Sequence, residues 1–138
     1  MAEELIERIR RGYAAWNQGD VEGTVALLAG DVEWHTSASF PGTAPLYRGH
    51  AGFRQFWEDL HEPWEQVRIE IESFELEDDV AILRIRFHGE SKGSGVDVDL
   101  PWFQVIVIVD GLVQRSALDR DVGGALEALD VSDAFPEF

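Results

Sequence analysis

Two aspartates stand at the end of the last strand-like stretch of the chain. "LVQRSALDR" is followed directly by Asp121, which leaves Asp119 and Asp121 two residues apart. Side chains at that spacing share one face of a strand. A carboxylate held beside another among apolar walls has its pKa raised by like charge and by desolvation, and a raised carboxyl exchanges protons near neutral pH. Asp121 also immediately precedes "VGGALEAL", where an aspartate suits a helix N-cap. Acid/base group and cap are equally open at this point. A second candidate base is His35, beside Trp34 in the strand-like "DVEWHT". His50 and His61 lie on or beside one helix, the chain has no cysteine, and no convergent ligand set is visible, so no metal is expected. Signatures of nucleophilic enzymes and phosphate loops are missing; "GSG" falls in a hairpin turn, where glycine serves backbone geometry.

The bulk of the chain bounds what those groups can act on. A length of 138 residues suits one domain, with a core over about 3–130 and a short tail at 131–138. Hydrophobic residues make up 45%, enough for a packed core, and five tryptophans either fill that core or line a cavity. The formal charge of −16 repels phosphate backbones and anionic membrane surfaces, so neither nucleic acid nor membrane is an expected partner. The first residues, "MAEELIERIRRGY", are charged and amphipathic, and no segment is long enough to span a bilayer. A soluble cytoplasmic protein is expected.

The elements that must position the candidates follow from periodicity. Leu5, Ile9, Tyr13 and Trp16 recur at helical spacing in 3–17. "QGD" ends that helix, and Asp20 caps a second through "VEGTVALLA". After "DVEWHT" comes an aromatic-rich loop with two prolines. The helix "HAGFRQFWEDLH" then sets Phe53, Phe56, Trp57 and Leu60 on one face. From there the period is two, through Val67, Ile69 and Ile71, then Ala81, Leu83, Ile85 and Phe87. Asp78-Asp79, "KGSG" and Asp110-Gly111 make the turns, and a short helix ends the pattern. Three helices around one early strand, followed by a four-strand antiparallel meander, predict an α+β fold. Helices on one face of a curved sheet make a cone whose open end is a natural pocket.

"YAAWNQGDVEGTVALLAGDVEWH", "YRGHAGFRQFW" and "DGLVQRSALDRD", in that order, resemble the nuclear-transport-factor-2-like superfamily. Within it the chain is most similar to the SnoaL-like branch, relatives of ketosteroid isomerase and limonene-epoxide hydrolase. The resemblance implies a cystatin-like cone, a curved mixed or antiparallel sheet wrapped around N-terminal helices. It also implies cofactor-free chemistry. The places of the isomerase's tyrosine, buried aspartate and base hold Gly12, Trp102 and Thr36 here, so that mechanism is not expected. Tyr13 lies one residue off, about 100° round the helix. Of the epoxide hydrolase's set, Ile85, Phe87, Trp34 and Thr36 replace all but the final aspartate, Asp121. SnoaL-type polyketide cyclases also use an aspartate near the end of the last strand as acid/base.

These correspondences set the side that each strand turns to the cavity. Trp34 and Thr36 point inward, so His35 points away, as do Arg84, Arg86 and His88. The expected ligand site is Trp16, Trp34, Thr36, Phe56, Trp57, Leu83, Ile85, Phe87, Trp102 and Gln104, with Asp119 and Asp121 as inward acids and Gly12 leaving space for a ring. The expectation is a protein that binds an apolar, ring-containing small molecule and, if it is an enzyme, an isomerase, cyclase, dehydratase or hydrolase. The rival is a non-catalytic binding or structural module of the same fold. Val105, Val107 and Val109 form an apolar stripe on the other side of the sheet, which predicts a homodimer through that face unless "DVSDAFPEF" covers it.

Overall fold

A computed structural model describes residues 2–36 and 42–131. Its elements are α1 (Ala2–Asn17), α2 (Val21–Val25), β1 (Leu28–His35), β2 (Leu46–Arg48), α3 (Gly49–His61), β3 (Trp64–Glu77), β4 (Val80–Ser91), β5 (Asp97–Val109), β6 (Leu112–Asp119) and α4 (Val122–Ala128). The six strands form one sheet in the order β2-β1-β6-β5-β4-β3. β3 to β6 are the antiparallel meander read from the sequence, and β1 joins it parallel to β6. The sheet is therefore mixed, and the fold is α+β, with three helices ahead of the meander and α4 after it.

Turn chemistry sets the meander. Asp110 and Gly111 both have positive φ, 53° and 78°, the geometry that lets a two-residue hairpin follow strand twist. Between Glu65 and Arg68, and again between Ile71 and Ser73, β3 carries irregularities against β4. Such bulges bend a strand, and here they curve the sheet over α1. β3 is an edge strand, yet the edge-facing groups of Ile69 are paired. The Asn17 side chain donates to Ile69 O (2.9 Å) and accepts from Ile69 N (2.8 Å). One amide thus closes α1 and covers part of an open edge.

Two boundaries and one added strand differ from the sequence reading. β1 starts at Leu28, ahead of the expected Asp31, because its first residues pair with β6. α2 ends at Val25, since the chain must turn into that strand. A short strand, β2, precedes α3 and was not expected; it pairs with Trp34 and its neighbours on β1. Part of the proline-bearing loop and nearly all of the C-terminal tail lie outside the described residues.

The sheet has two apolar sides. The inner one packs α1 and α3 against Val32, Trp34, Leu83, Ile85, Phe87, Trp102 and Leu118. The outer one carries Val80, Ile82, Val105, Val107 and Ala117, and α4 lies over it through Ala125, Leu126 and Leu129. This corrects the picture of an open valine stripe: Val105 is 0% exposed and Val107 9%, leaving only Val109 in water at 47%. A helix too short to be stable alone is held by the apolar surface it covers. No helix among the described residues is long and apolar enough to cross a membrane.

Candidate functional site

Between α1 and the concave face of the sheet lies an apolar cavity. α1 supplies Ile9, Gly12, Tyr13 and Trp16, the sheet supplies Ile85, Phe87, Gln104, Ile106 and Leu118, and Trp34, Phe56 and Leu60 close the inner end. α1 presents these residues because three- and four-residue steps keep them on one face. The cavity holds about 70 Å³, roughly half of the ~150 Å³ that accommodates benzene. It takes several waters as it stands, and a ring enters only when the walls shift.

One polar line crosses this interior. The Tyr13 hydroxyl donates to Gln104 Oε1, and Gln104 Nε2 donates to Ser116 Oγ at 2.9 Å. Gln104 and Ser116 are buried. Burial pushes the Tyr13 phenol far above its ordinary range, so it is a neutral hydroxyl across the working pH range. The line has capacity left over: lone pairs on the tyrosine oxygen and the second proton of the Gln104 amide. Trp16 and Trp34, both cavity-lining, bury indole N–H groups with no hydrogen-bond partner. An unpaired buried donor costs about 1–3 kcal/mol, and an oxygen acceptor that reached it would recover part of that.

The expected ligand-binding residues divide. Trp16, Trp34, Phe56, Ile85, Phe87 and Gln104 line the cavity. Leu83 and Trp102 are buried in the inner core away from its walls. Thr36 is also buried, and its hydroxyl donates to Ala44 O, tying down the chain that leads into β2. Trp57 lies behind the cavity, packed edge-on against Trp16 at 4.4 Å and stacked on His61 at 4.3 Å. The His61 Nδ1–H donates to Trp57 O (2.7 Å), and burial pulls the ring's pKa down, which favours neutral imidazole.

The two aspartates do not reach the cavity. On β6 the inward residues are Ser116 and Leu118, so Asp119 points out, opposite Phe103 of β5. Its carboxylate accepts from Asp121 N at 3.0 Å. Asp121 caps α4, accepting from Gly124 N at 3.2 Å. The inward facing expected of both is corrected, and both tie β6 to the helix on the outer side. His35 points outward and pairs with Glu33 at 3.2 Å. The space beside Gly12 is partly taken by Leu27: a Cβ there would come within 2.7 Å of the movable Leu27 Cδ1. Among the described residues no group of histidines and acids is placed to hold a metal.

Tyr13, Ser116, Arg8 and Thr24 are the polar groups here that the sequence reading missed. The signal for Tyr13 was present, since it sits on the same helical stripe as Ile9 and Trp16. Alignment to the isomerase's tyrosine, one residue earlier, displaced it. In the structure Gly12 and Tyr13 both border the cavity.

The SnoaL-like domain family matches residues 9–116. TerC, co-crystallised with polyporic acid, is 21% identical to this chain; the likeness covers 91% of this chain and 98% of that one, with a TM-score of 0.76. A hypothetical protein of ketosteroid isomerase-like fold from Catenulispora acidiphila, in complex with trimethylamine, is 14% identical over 88% and 90%, at a TM-score of 0.74. An NTF2-like protein from Burkholderia thailandensis is 20% identical over 92% and 95%, at 0.75. These likenesses show the fold. No curated protein matches the chain.

Both tyrosines have raised pKa values. Burial is the first cause in each case, and the carboxylate of Asp59, 2.6 Å from the Tyr47 hydroxyl, adds to it there. A raised folded-state pKa means that the stabilisation is complete below the unfolded value of about 10 and is lost as pH climbs past it. An alkaline titration of the Tyr47→Phe variant, followed by ultraviolet absorbance, should show Tyr13 still un-ionised in the folded protein near pH 10. Phenolate should then appear together with loss of circular dichroism. A tyrosine that ionises at its ordinary pH in folded protein contradicts the burial of the polar line.

Proposed function

The chain belongs to the SnoaL-like domain family, and on that premise we propose that it binds a small, mostly apolar, ring-containing molecule bearing an oxygen substituent. The observation that carries this is the Tyr13–Gln104–Ser116 line at a cavity whose walls are mostly apolar. Apolar walls supply the drive for burial, and a few placed polar groups fix orientation, the usual composition of a ligand site. The small volume means that the ligand binds by displacing α1 or the aromatic walls. Two structural relatives crystallised with small molecules lend support.

Binding rather than turnover is the reading we favour. Among the described residues lining the cavity there is no carboxylate and no imidazole to take a proton. Asp119 and Asp121, the acids expected for that task, sit on the far side of the sheet. A cyclase- or isomerase-type step has one feature in its favour: a neutral, buried phenol placed to donate to a carbonyl oxygen as it gains charge.

The same proposal includes a second copy of the chain. With α4 over the valines, pairing would use the part of the outer face left open around Arg84, Arg86 and Phe103. Arg84 stacks over the Phe103 ring at 5.2 Å, and Arg86 meets Asp99 at 2.7 Å. Sedimentation equilibrium should then report a dimer that Arg84→Glu dissociates, and a wild type that is monomeric at micromolar concentration contradicts the pairing.

For the ligand, 2-naphthol should raise the melting temperature and change tryptophan fluorescence, because a molecule that binds only the folded state stabilises it. Tyr13→Phe should weaken 2-naphthol roughly three- to tenfold, the loss of one hydrogen bond, and leave naphthalene unchanged. If neither compound shifts the melting temperature or the fluorescence, the cavity is not a binding site of this kind.

A further inference from the structure

We infer that the molecule bound under α1 is an anion, with a carboxylate or similar acidic group at the cavity's solvent end that Arg8 receives. The inference rests on the reading of the cavity as a ligand site and adds the charge of its occupant.

Arg8 is the one charged group among the described residues that line the cavity. It lies on the same face of α1 as Gly12, and it is exposed where Gln104 is buried, so it marks the mouth. Its Nη1 donates to Gly111 O at 2.8 Å, which holds the guanidinium against the β5–β6 hairpin. The hairpin fits this closely: a Cβ on Gly111 would stand 2.5 Å from that nitrogen. Arg8 is thus positioned at the rim before any ligand arrives, and pre-positioning lowers the cost of binding.

Its charge is also uncommitted. Arg11, Arg48, Arg54 and Arg86 each meet a carboxylate of this chain. Arg8 meets none among the described residues, and since Arg10, Arg68, Arg84, Lys92, Arg115 and Arg120 meet none either, its place in the cavity lining is what singles it out. A guanidinium has five N–H donors in a planar fork, and the bond to Gly111 uses one of them, leaving an edge that suits a carboxylate. Along α1 the step from Arg8 to Tyr13 is about 7.5 Å. That is the reach of one aromatic ring with a short acidic arm, its ring among the tryptophans and its acid outside.

The chain's charge of −16 opposes any anion at long range. A preference for an anion over its neutral isostere therefore reports a local cation. The test is calorimetry at fixed ionic strength with 4-hydroxycinnamate and 4-hydroxycinnamamide, which share shape and differ in charge. Wild type should bind the acid roughly threefold to fivefold more tightly than the amide, the scale of one exposed charge pair. Arg8→Met should abolish that preference with amide affinity within about twofold of wild type, and Arg8→Lys should keep part of it. A purely structural role for Arg8 would lower both affinities together. An amide that binds as well as the acid, or a preference that survives Arg8→Met, overturns the inference and leaves the cavity reading standing. Failure of both compounds to bind wild type overturns the two together.

Discussion

The hydrogen bond from Tyr13 to Gln104 is the constraint on which the interior depends. It joins the inner face of α1 to the middle of β5, and through Ser116 it continues to β6. Its surroundings are mostly apolar, so each partner would be costly to bury alone. The pairing fixes the rotation of α1: turning the helix by one residue would carry Tyr13 off the line and leave Gln104 unsatisfied. Given that rotation, Ile9 and Trp16 face the sheet, and Arg8 reaches the hairpin. Asn17 then arrives at the free edge of β3, where it pairs with Ile69.

The same sheet does different work on its two sides. Its concave side meets helices at a distance set by large aromatics and leaves a narrow cavity. Its convex side is sealed over the central strands by α4, with Asp119 and Asp121 holding that helix's first turn. A charge pair that suggested acid/base chemistry is thereby accounted for as the joint between a strand and the helix that follows it. The polar side chains that line the cavity among the described residues are Arg8, Tyr13, Thr24 and Gln104, with no carboxylate or imidazole, and the buried phenol at neutral pH orients a ligand more readily than it moves a proton.

Much of this was legible from residue spacing. Alternation through Ala81, Leu83, Ile85 and Phe87 gave the inner face of β4, while the family resemblance placed Trp34 and Thr36 inward at β1, with His35 outward. The positive-φ hairpin at Asp110-Gly111 was equally clear. What failed has physical causes. Parity on β6 was inferred from the acids of relatives, whereas in this chain Ser116 and Leu118 are the inward pair and Asp119 must point out. The final helix was visible as a segment, but nothing local says which surface a short amphipathic helix covers. The apolar stripe of β5 and the apolar face of α4 were each other's partners. β2 is three residues long, too short for a period to register.

The central claim is that the cavity under α1, read through Tyr13, is where a ligand sits. The most direct measurement is the anomalous scattering of bromine from crystals soaked in 4-bromophenol. The account predicts one strong bromine peak among Trp16, Trp34 and Ile106, with the phenol oxygen within hydrogen-bonding reach of Tyr13 or Gln104, and loss of that contact in Tyr13→Phe. Bromine found only on the outer face of the sheet, with the cavity unchanged, would contradict it.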